Sequence, residues 1–302
     1  MFHVKHRIES QDQFVVDLLT TLRQDKFGLI GWRRFLWRSW QMSCRTANEN
    51  TTLKQSWMRF TLWIGVFTIA IIGGNIFFEG IGPTLRLLPG LLFCMCWQQS
   101  DLFWHLGLNR QVRSGQLLST IGLANAFTWL RGMGASYLLG RLIGGLNTPS
   151  WLALLIFLYG IVTDILDGQI ARRTNTQSKL GQIADGEADF CLYLAITIIL
   201  IQNAVLPLWL SLVMLLRFCI PLLAALGSYF LFAHPVRFGS TFWGKYAGLA
   251  QCLYFLVLLA PPQLAFIARY INLPLLVVTL FLLIAAPIAQ IIGNVWCQVK
   301  AT

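Results

Sequence analysis

The stretch TDILDGQIARRTNTQSKLGQIADGEADF, Thr163 to Phe190, holds Asp164, Asp167, Asp185, Glu187 and Asp189 between two long apolar runs. Asp164 and Asp167 are three residues apart at the end of one run, so on a helix they share a face with Gly168 and Ala171. Asp185 and Asp189 are four apart at the start of the next, on a face shared with Gly181. About a dozen residues join the runs, so the two helices are antiparallel neighbours and both pairs converge at one boundary. Four carboxylates so close cannot all stay ionised without a compensating charge. Hard divalent cations with oxygen ligands supply it, and Mg²⁺ or Mn²⁺ suits a site that also takes phosphates. A salt-bridge cluster with Arg172, Arg173 and Lys179 is the alternative. It accounts neither for the spacing nor for the glycines, which leave room for a ligand to approach the backbone.

Outward from that stretch, the 302-residue chain is 56% hydrophobic and 12% charged, with a mean hydropathy of +0.64. A soluble protein carries about twice that charged fraction. Several apolar runs approach the roughly 20 residues that cross a bilayer, and in hydrocarbon such runs must be helices. The expectation is an all-α, polytopic membrane protein, in which acids at membrane depth point to function. The net charge of +11 does not imply nucleic acid, because ten of the 23 Lys and Arg precede Phe60 and most others fall in short loops. That distribution is the one that keeps loops cytosolic and attracts anionic headgroups. Seven cysteines, Cys44, Cys94, Cys96, Cys191, Cys219, Cys252 and Cys297, form no metal-ligand array. MFHVKHRIES at the start has no apolar core, so no cleaved signal peptide is expected.

Residues 1–58 are a basic, amphipathic region expected on the cytosolic side. Within them KFGLIGWRRFLWRSW (Lys26–Trp40) interleaves Trp and Arg, which suits a helix in the headgroup layer or one packed on its own protein. Residues 59–98 are expected to form a transmembrane hairpin, its second arm short and interrupted by Arg86 and Pro89. Residues 99–120 are a polar cytosolic linker. Six spans follow, at about 121–143, 151–170, 181–203, 205–230, 246–267 and 272–296. Alternating them puts Arg172, Arg173, Lys179, Arg237 and Lys245 on the side of the N-terminus, and only Arg86, Arg141 and Arg269 opposite, so both termini are expected in the cytosol.

Asp164, Asp167, Gly168, Ala171, Arg172, Gly181, Asp185 and Asp189 occupy every fixed position of D-x2-D-G-x2-A-R-x8-G-x3-D-x3-D. That pattern resembles the signature of the CDP-alcohol phosphatidyltransferases. Upstream, Asn125, Thr128 and Arg131 resemble the N-x2-T-x2-R that opens the family's first core helix, and Gly244–Gly248 (GKYAG) the Gly-Lys that begins its fifth. The resemblance covers about 120–300 and implies a six-helix core over residues 121–302, here preceded by the extra hairpin and the basic region. By resemblance, Asp164, Asp167 and Asp185 hold a pair of divalent metals and Asp189 completes the second site. Asp189 is also the general base that takes the acceptor's proton. Asn125, Thr128, Gly168, Ala171, Arg172, Ser178 and Gly181 match positions around the CDP group, where Arg172 offers phosphate oxygens a bidentate fork. The implied reaction moves a phosphatidyl group from CDP-diacylglycerol to a small polar alcohol with release of CMP. The expected setting is the cell (inner) membrane with the active site facing the cytoplasm; membrane lipid and a second copy, as a homodimer, are the expected partners.

Two other readings stay open: transfer of phosphocholine or phosphoethanolamine from a soluble CDP-alcohol to diacylglycerol, and a non-enzymatic polytopic protein using the cluster as a structural clip. A base at Asp189 discriminates against the clip. Arg217, inside the fourth core span, is a site for an acceptor phosphate or a partner of the acids. Lys245 holds an acceptor phosphate or snorkels to the interface. His105 and His234 are expected to be interfacial bystanders, and Gly132, Gly134 and Gly140 to serve helix packing. Phe190 follows the last aspartate where relatives acting on glycerol phosphate often carry lysine and those acting on inositol phosphate arginine, so the acceptor is not legible.

Overall fold

Gly80 ends one apolar helix and begins the next in a backbone conformation, φ +87°, that a residue with a Cβ rarely adopts. It joins α3 (Thr51–Glu79) to α4 (Ile81–Trp104). The two run antiparallel, because Asn75 donates to Thr84 at 2.9 Å near the turn and Thr61 to Gln99 at 3.0 Å far from it. The computed structural model describes residues 18–112, 114–227 and 242–299. Residues 1–17 and most of the 233–245 loop, with His234 and Arg237, lie outside them. Among the described residues all regular structure is helical: α1 (residues 18–24), α2 (Leu29–Glu49), α3, α4, α5 (Leu123–Ile143), α6 (Ser150–Arg173), α7 (Lys179–Gln202), α8 (Leu208–Gly227), α9 (Phe242–Leu258) and α10 (Ala265–Val299).

α4 differs from the interrupted arm that Arg86 and Pro89 suggested. It is one helix of 24 residues with Pro89 inside it. Packing overrides the proline: Leu87 and Leu91 are fully buried, and Gly90 lies so near Gly140 of α5 that a Cβ there would sit 2.9 Å from the Gly140 Cα. Small residues that let backbones approach replace the hydrophobic drive that lipid cannot supply. Gly132 and Gly134 work the same way, since a Cβ on the first would collide with Gln98 of α4 and on the second would meet Ile156 of α6 at 3.0 Å.

The chain folds as two compact units. The first contains the chain to Thr148 together with Ile156–Ala195. In it α3, α4, α5, α6 and α7 follow one another up and down, the last pair sealed by Phe157 edge-on to Tyr193 with ring centres 5.5 Å apart. Its core gathers Leu87, Leu91, Met95 and Leu102 around Trp129, Met133, Leu180 and Ala184. α2 docks on the end of α4 through Trp40, which stacks edge-on to Trp104, and through Ser39, which accepts from the Trp104 indole at 2.7 Å.

The expected linker is a strap. After a 3₁₀ turn at Leu106–Leu108, Val112 N–H donates to Gln177 C=O at 2.9 Å, the Gln111 amide to Asn175 C=O at 2.8 Å, and Lys179 N–H to Arg110 C=O at 3.2 Å. Ile121 N–H donates to Ser56 Oγ at 2.9 Å. These bonds put the start of α3 and the end of α4 on the same side of the unit as the α6–α7 turn.

In the second unit α9 packs along α10, where Thr279 donates to the Ala250 carbonyl at 3.3 Å, and Phe255 is wholly buried. Among the described residues three helices are long and apolar enough to cross a membrane: Thr51–Glu79, Ser150–Arg173 and Pro262–Ala289. Leu208–Ile220 is apolar but shorter, and two other expected spans carry charges. α5 carries Arg131 and Arg141, and α7 carries Lys179, Asp185, Glu187 and Asp189. Leu62, Phe77 and Phe78 on α3, with Phe266 and Phe281 on α10, stand fully or largely exposed, as an all-α membrane protein places them toward lipid.

Candidate active site

Ser178 caps α7, accepting a hydrogen bond from Gly181 N–H at 3.0 Å, and so sets where the acids of that helix begin. Gly181 faces Asn125 of α5, and a Cβ there would sit 2.7 Å from Asn125 Oδ1. One turn on, Thr128 donates to Asp167 Oδ2 at 2.8 Å. At the next turn of α5 is Arg131, whose side chain is 1% exposed.

Arg131 is the hub of the site. Its Nη1 donates to Asp164 Oδ1 at 2.9 Å, its Nη2 pairs with Asp185 Oδ1 and lies 3.6 Å from Asp167 Oδ2, and its Nε lies 3.2 Å from Asp189 Oδ1. That last contact is an ion pair without hydrogen-bond alignment, leaving the buried Nε–H without an acceptor. The acids themselves open outward: the side chains of Asp164 and Asp185 are about half exposed and that of Asp189 is 28% exposed, over a guanidinium sealed beneath.

Asp164, Asp185 and Asp189 each offer a carboxylate oxygen, all within 4.8 Å of one another. Four carboxylates against one guanidinium leave three formal negative charges. Hard oxygen donors, close spacing and excess negative charge fit a divalent cation, and carboxylates with waters and phosphates suit Mg²⁺ or Mn²⁺.

The remaining motif residues fall around this cluster. Gly168 lies under Arg172, whose Nη1 would be 3.2 Å from a Cβ at 168, so glycine gives the guanidinium room to fold back over α6. Arg172 is exposed and Ala171 half-buried at the same helix end. Asn125, Thr128, Asp164, Asp167, Gly168, Ala171, Arg172, Ser178, Gly181, Asp185 and Asp189 thus all lie in the first unit.

Residues 121–285, more than half of the chain, match the family model described as CDP-alcohol phosphatidyltransferase. The chain belongs to the CDP-alcohol phosphatidyltransferase family. A cardiolipin synthase (CMP-forming) from Streptomyces coelicolor is 43% identical over 74 residues, which are 24% of this chain and 34% of that relative's length. No solved structure matches. The family match begins at Ile121, so α1 to α4 and the strap lie outside it.

Arg131, the last residue of the N-x2-T-x2-R motif, takes its role only from the fold. The signal was there: an arginine two turns into an apolar helix needs a counter-charge, and the only concentration of acids in the spans is this one. His105 packs back on its own helix, its Nδ1 3.1 Å from Asp101 Oδ1. Arg217 belongs to the second unit, where it donates to Gln251 at 3.0 Å and lies 4.6 Å from the centre of the Phe218 ring. A Cβ at Gly248 would meet its guanidinium at 3.2 Å, so α9 is shaped around it. Lys245, near the start of α9, is exposed.

Proposed function

We propose that the chain transfers a phosphatidyl group from CDP-diacylglycerol to a hydroxyl acceptor and releases CMP. The observation that carries this reading is the convergence of Asp164, Asp167, Asp185 and Asp189 on buried Arg131, at the mouth of two antiparallel helices. Divalent metal held by those carboxylates would supply the positive charge that the donor pyrophosphate and departing CMP require. Asp189 takes the proton of the acceptor hydroxyl as its oxygen attacks the β-phosphorus and the bond to CMP breaks. Arg172, exposed beside the cluster, forks onto phosphate oxygens, while Asn125, Thr128, Ser178 and the flat backbone at Gly168 and Gly181 shape the nucleotide's place. Arg131 holds the acids in register from below and does not reach the surface. Arg217 and Lys245 are proposed to serve an acceptor phosphate. The site is proposed to face the cytoplasm, the side on which the basic segments gather.

The acceptor is a small polar alcohol in the first reading. A second, a phospholipid with a free hydroxyl, is supported by the likeness to a cardiolipin synthase. Purified protein offered CDP-diacylglycerol with glycerol 3-phosphate, inositol phosphate, serine or phosphatidylglycerol separates them by CMP release and by the lipid formed. Asp189→Asn is expected to lower transfer by roughly 10²–10⁴. CMP release with none of these acceptors, or wild-type turnover by the Asp189→Asn protein, refutes the proposal.

A further inference from the structure

Outside the family match, the end of α4 and the outer face of α2 enclose an open groove of about 690 Å³. Ile30, Arg33, Arg34 and Trp37 recur at helical spacing along one face of α2, and Leu36, Trp40 and Trp104 complete the lining. The aromatic side is fixed: Trp40 and Trp104 stand edge to face with centres 5.6 Å apart, and the Trp104 indole is tied to Ser39. The cationic side is open. Arg34 reaches Asp25 at 3.1 Å and is still about half exposed, while Arg33 is exposed and has no carboxylate partner among the described residues. Trp37 is 61% and Ile30 69% exposed, an apolar surface that water alone would not favour.

We infer that this groove binds one anionic diacyl phospholipid, its phosphate between Arg33 and Arg34 and its chains along Trp37, Trp40 and Trp104. Two observations select that occupant. Guanidinium groups next to indoles match a molecule with a charged phosphate at one end and hydrocarbon at the other. The groove also lies where α3 begins its apolar run and α4 ends its own, at the level where a bilayer's headgroups meet its chains. A soluble acidic partner would satisfy the arginines and leave the Trp37 face unmatched. The inference is independent of which reaction the aspartate cluster performs.

Native mass spectrometry of the full chain in detergent, with equimolar dioleoylphosphatidylglycerol and dioleoylphosphatidylcholine, tests it. Each basic residue near an anionic lipid headgroup is worth about 1 kcal/mol, so two are expected to give about thirtyfold preferential retention of phosphatidylglycerol. Arg33→Gln should remove most of that preference. Its folding is not at risk, because the side chain is exposed and makes no ion pair among the described residues. Trp37→Ala should weaken retention of both lipids. Arg38→Gln removes the same charge from the same helix but away from the groove, and should leave the preference intact. Equal retention of the two lipids by the wild type overturns the inference. So does an equal loss in Arg33→Gln and Arg38→Gln, which would mean diffuse attraction to the whole helix.

Discussion

Replacing Arg131 by methionine removes the one cation that touches all four aspartates and keeps a helix-forming side chain of similar length. At 3 Å and an effective dielectric near 20, each unit pair is worth about 5 kcal/mol before desolvation. Burying the guanidinium to 1% exposure offsets most of that sum, as does repulsion among the acids. What remains on deleting one partner of a buried ionic group is about 3–5 kcal/mol. At roughly 2–4 °C per kcal/mol, the midpoint of thermal unfolding in detergent with EDTA should fall by about 10 °C. Intrinsic fluorescence reads it directly. Saturating Mg²⁺ at a hundred times its Kd should return about 2.7 kcal/mol to the wild type, and more to Arg131→Met, because the cation no longer competes with a guanidinium for the same oxygens. Arg172→Met, which removes an exposed cation from the end of α6, should shift stability by less than about 1 kcal/mol. An Arg131→Met protein as stable as wild type in EDTA, or one that gains no more from Mg²⁺ than wild type does, would show that Arg131 is not the counter-ion of this cluster.

CMP release should stop with excess EDTA and return with added Mg²⁺ or Mn²⁺; activity unchanged by the chelator would remove the metal from the proposal. Glu79→Leu should destabilise the protein by about 3 kcal/mol, read as a lowered unfolding midpoint, because it strands Arg141, which is 3% exposed and held by Glu79 Oε1 at 2.6 Å. In a background without native cysteines, Asn48→Cys and Arg173→Cys should resist an impermeant thiol reagent on intact cells and Asn147→Cys should react. The strap ties the first two positions to one side and α5 carries the third to the other, so opposite behaviour of Asn48→Cys and Arg173→Cys would break that topology.

The carboxylate geometry was legible because it is local: three- and four-residue spacings on two helices joined by a short turn leave the side chains little choice of face. Arg131 was visible as a residue and not as a hub, because its role depends on α5 lying between α4 and the α6–α7 pair. The strap was hidden for another reason. Its bonds, Val112 to Gln177 and Lys179 to Arg110, join irregular backbone across some 65 residues of chain and leave no periodicity to read. Pro89 misled in the opposite direction, since a local breaker signal of about 3 kcal/mol was outweighed by the close contact of Gly90 with Gly140. Arg217 needs a reason inside its span, and Gln251, itself fully buried, supplies a neutral partner that no charge pattern announces.

The segment that precedes the family match is bound into the site it precedes. Arg131 must be held from behind if it is to face four acids. The side of α5 turned away from them is covered by α4 through Gln98 at Gly132 and by Gly90 and Leu91 at Gly140. At the far end of α5, Arg141 is locked to Glu79 of the hairpin, and Tyr137 donates to Asn75 at 2.7 Å. At the near end, Ser56 fixes Ile121 just before the helix begins, and the strap holds the turn from which Ser178 caps α7. Each of these contacts ties a segment outside the match to a helix that carries a motif residue or to the turn beside one. In a bilayer, where burial of apolar surface does not drive helices together, such polar ties and glycine contacts set the register. The hairpin and strap therefore fix the pitch and depth of α5, and with them the position of the guanidinium on which the aspartates converge.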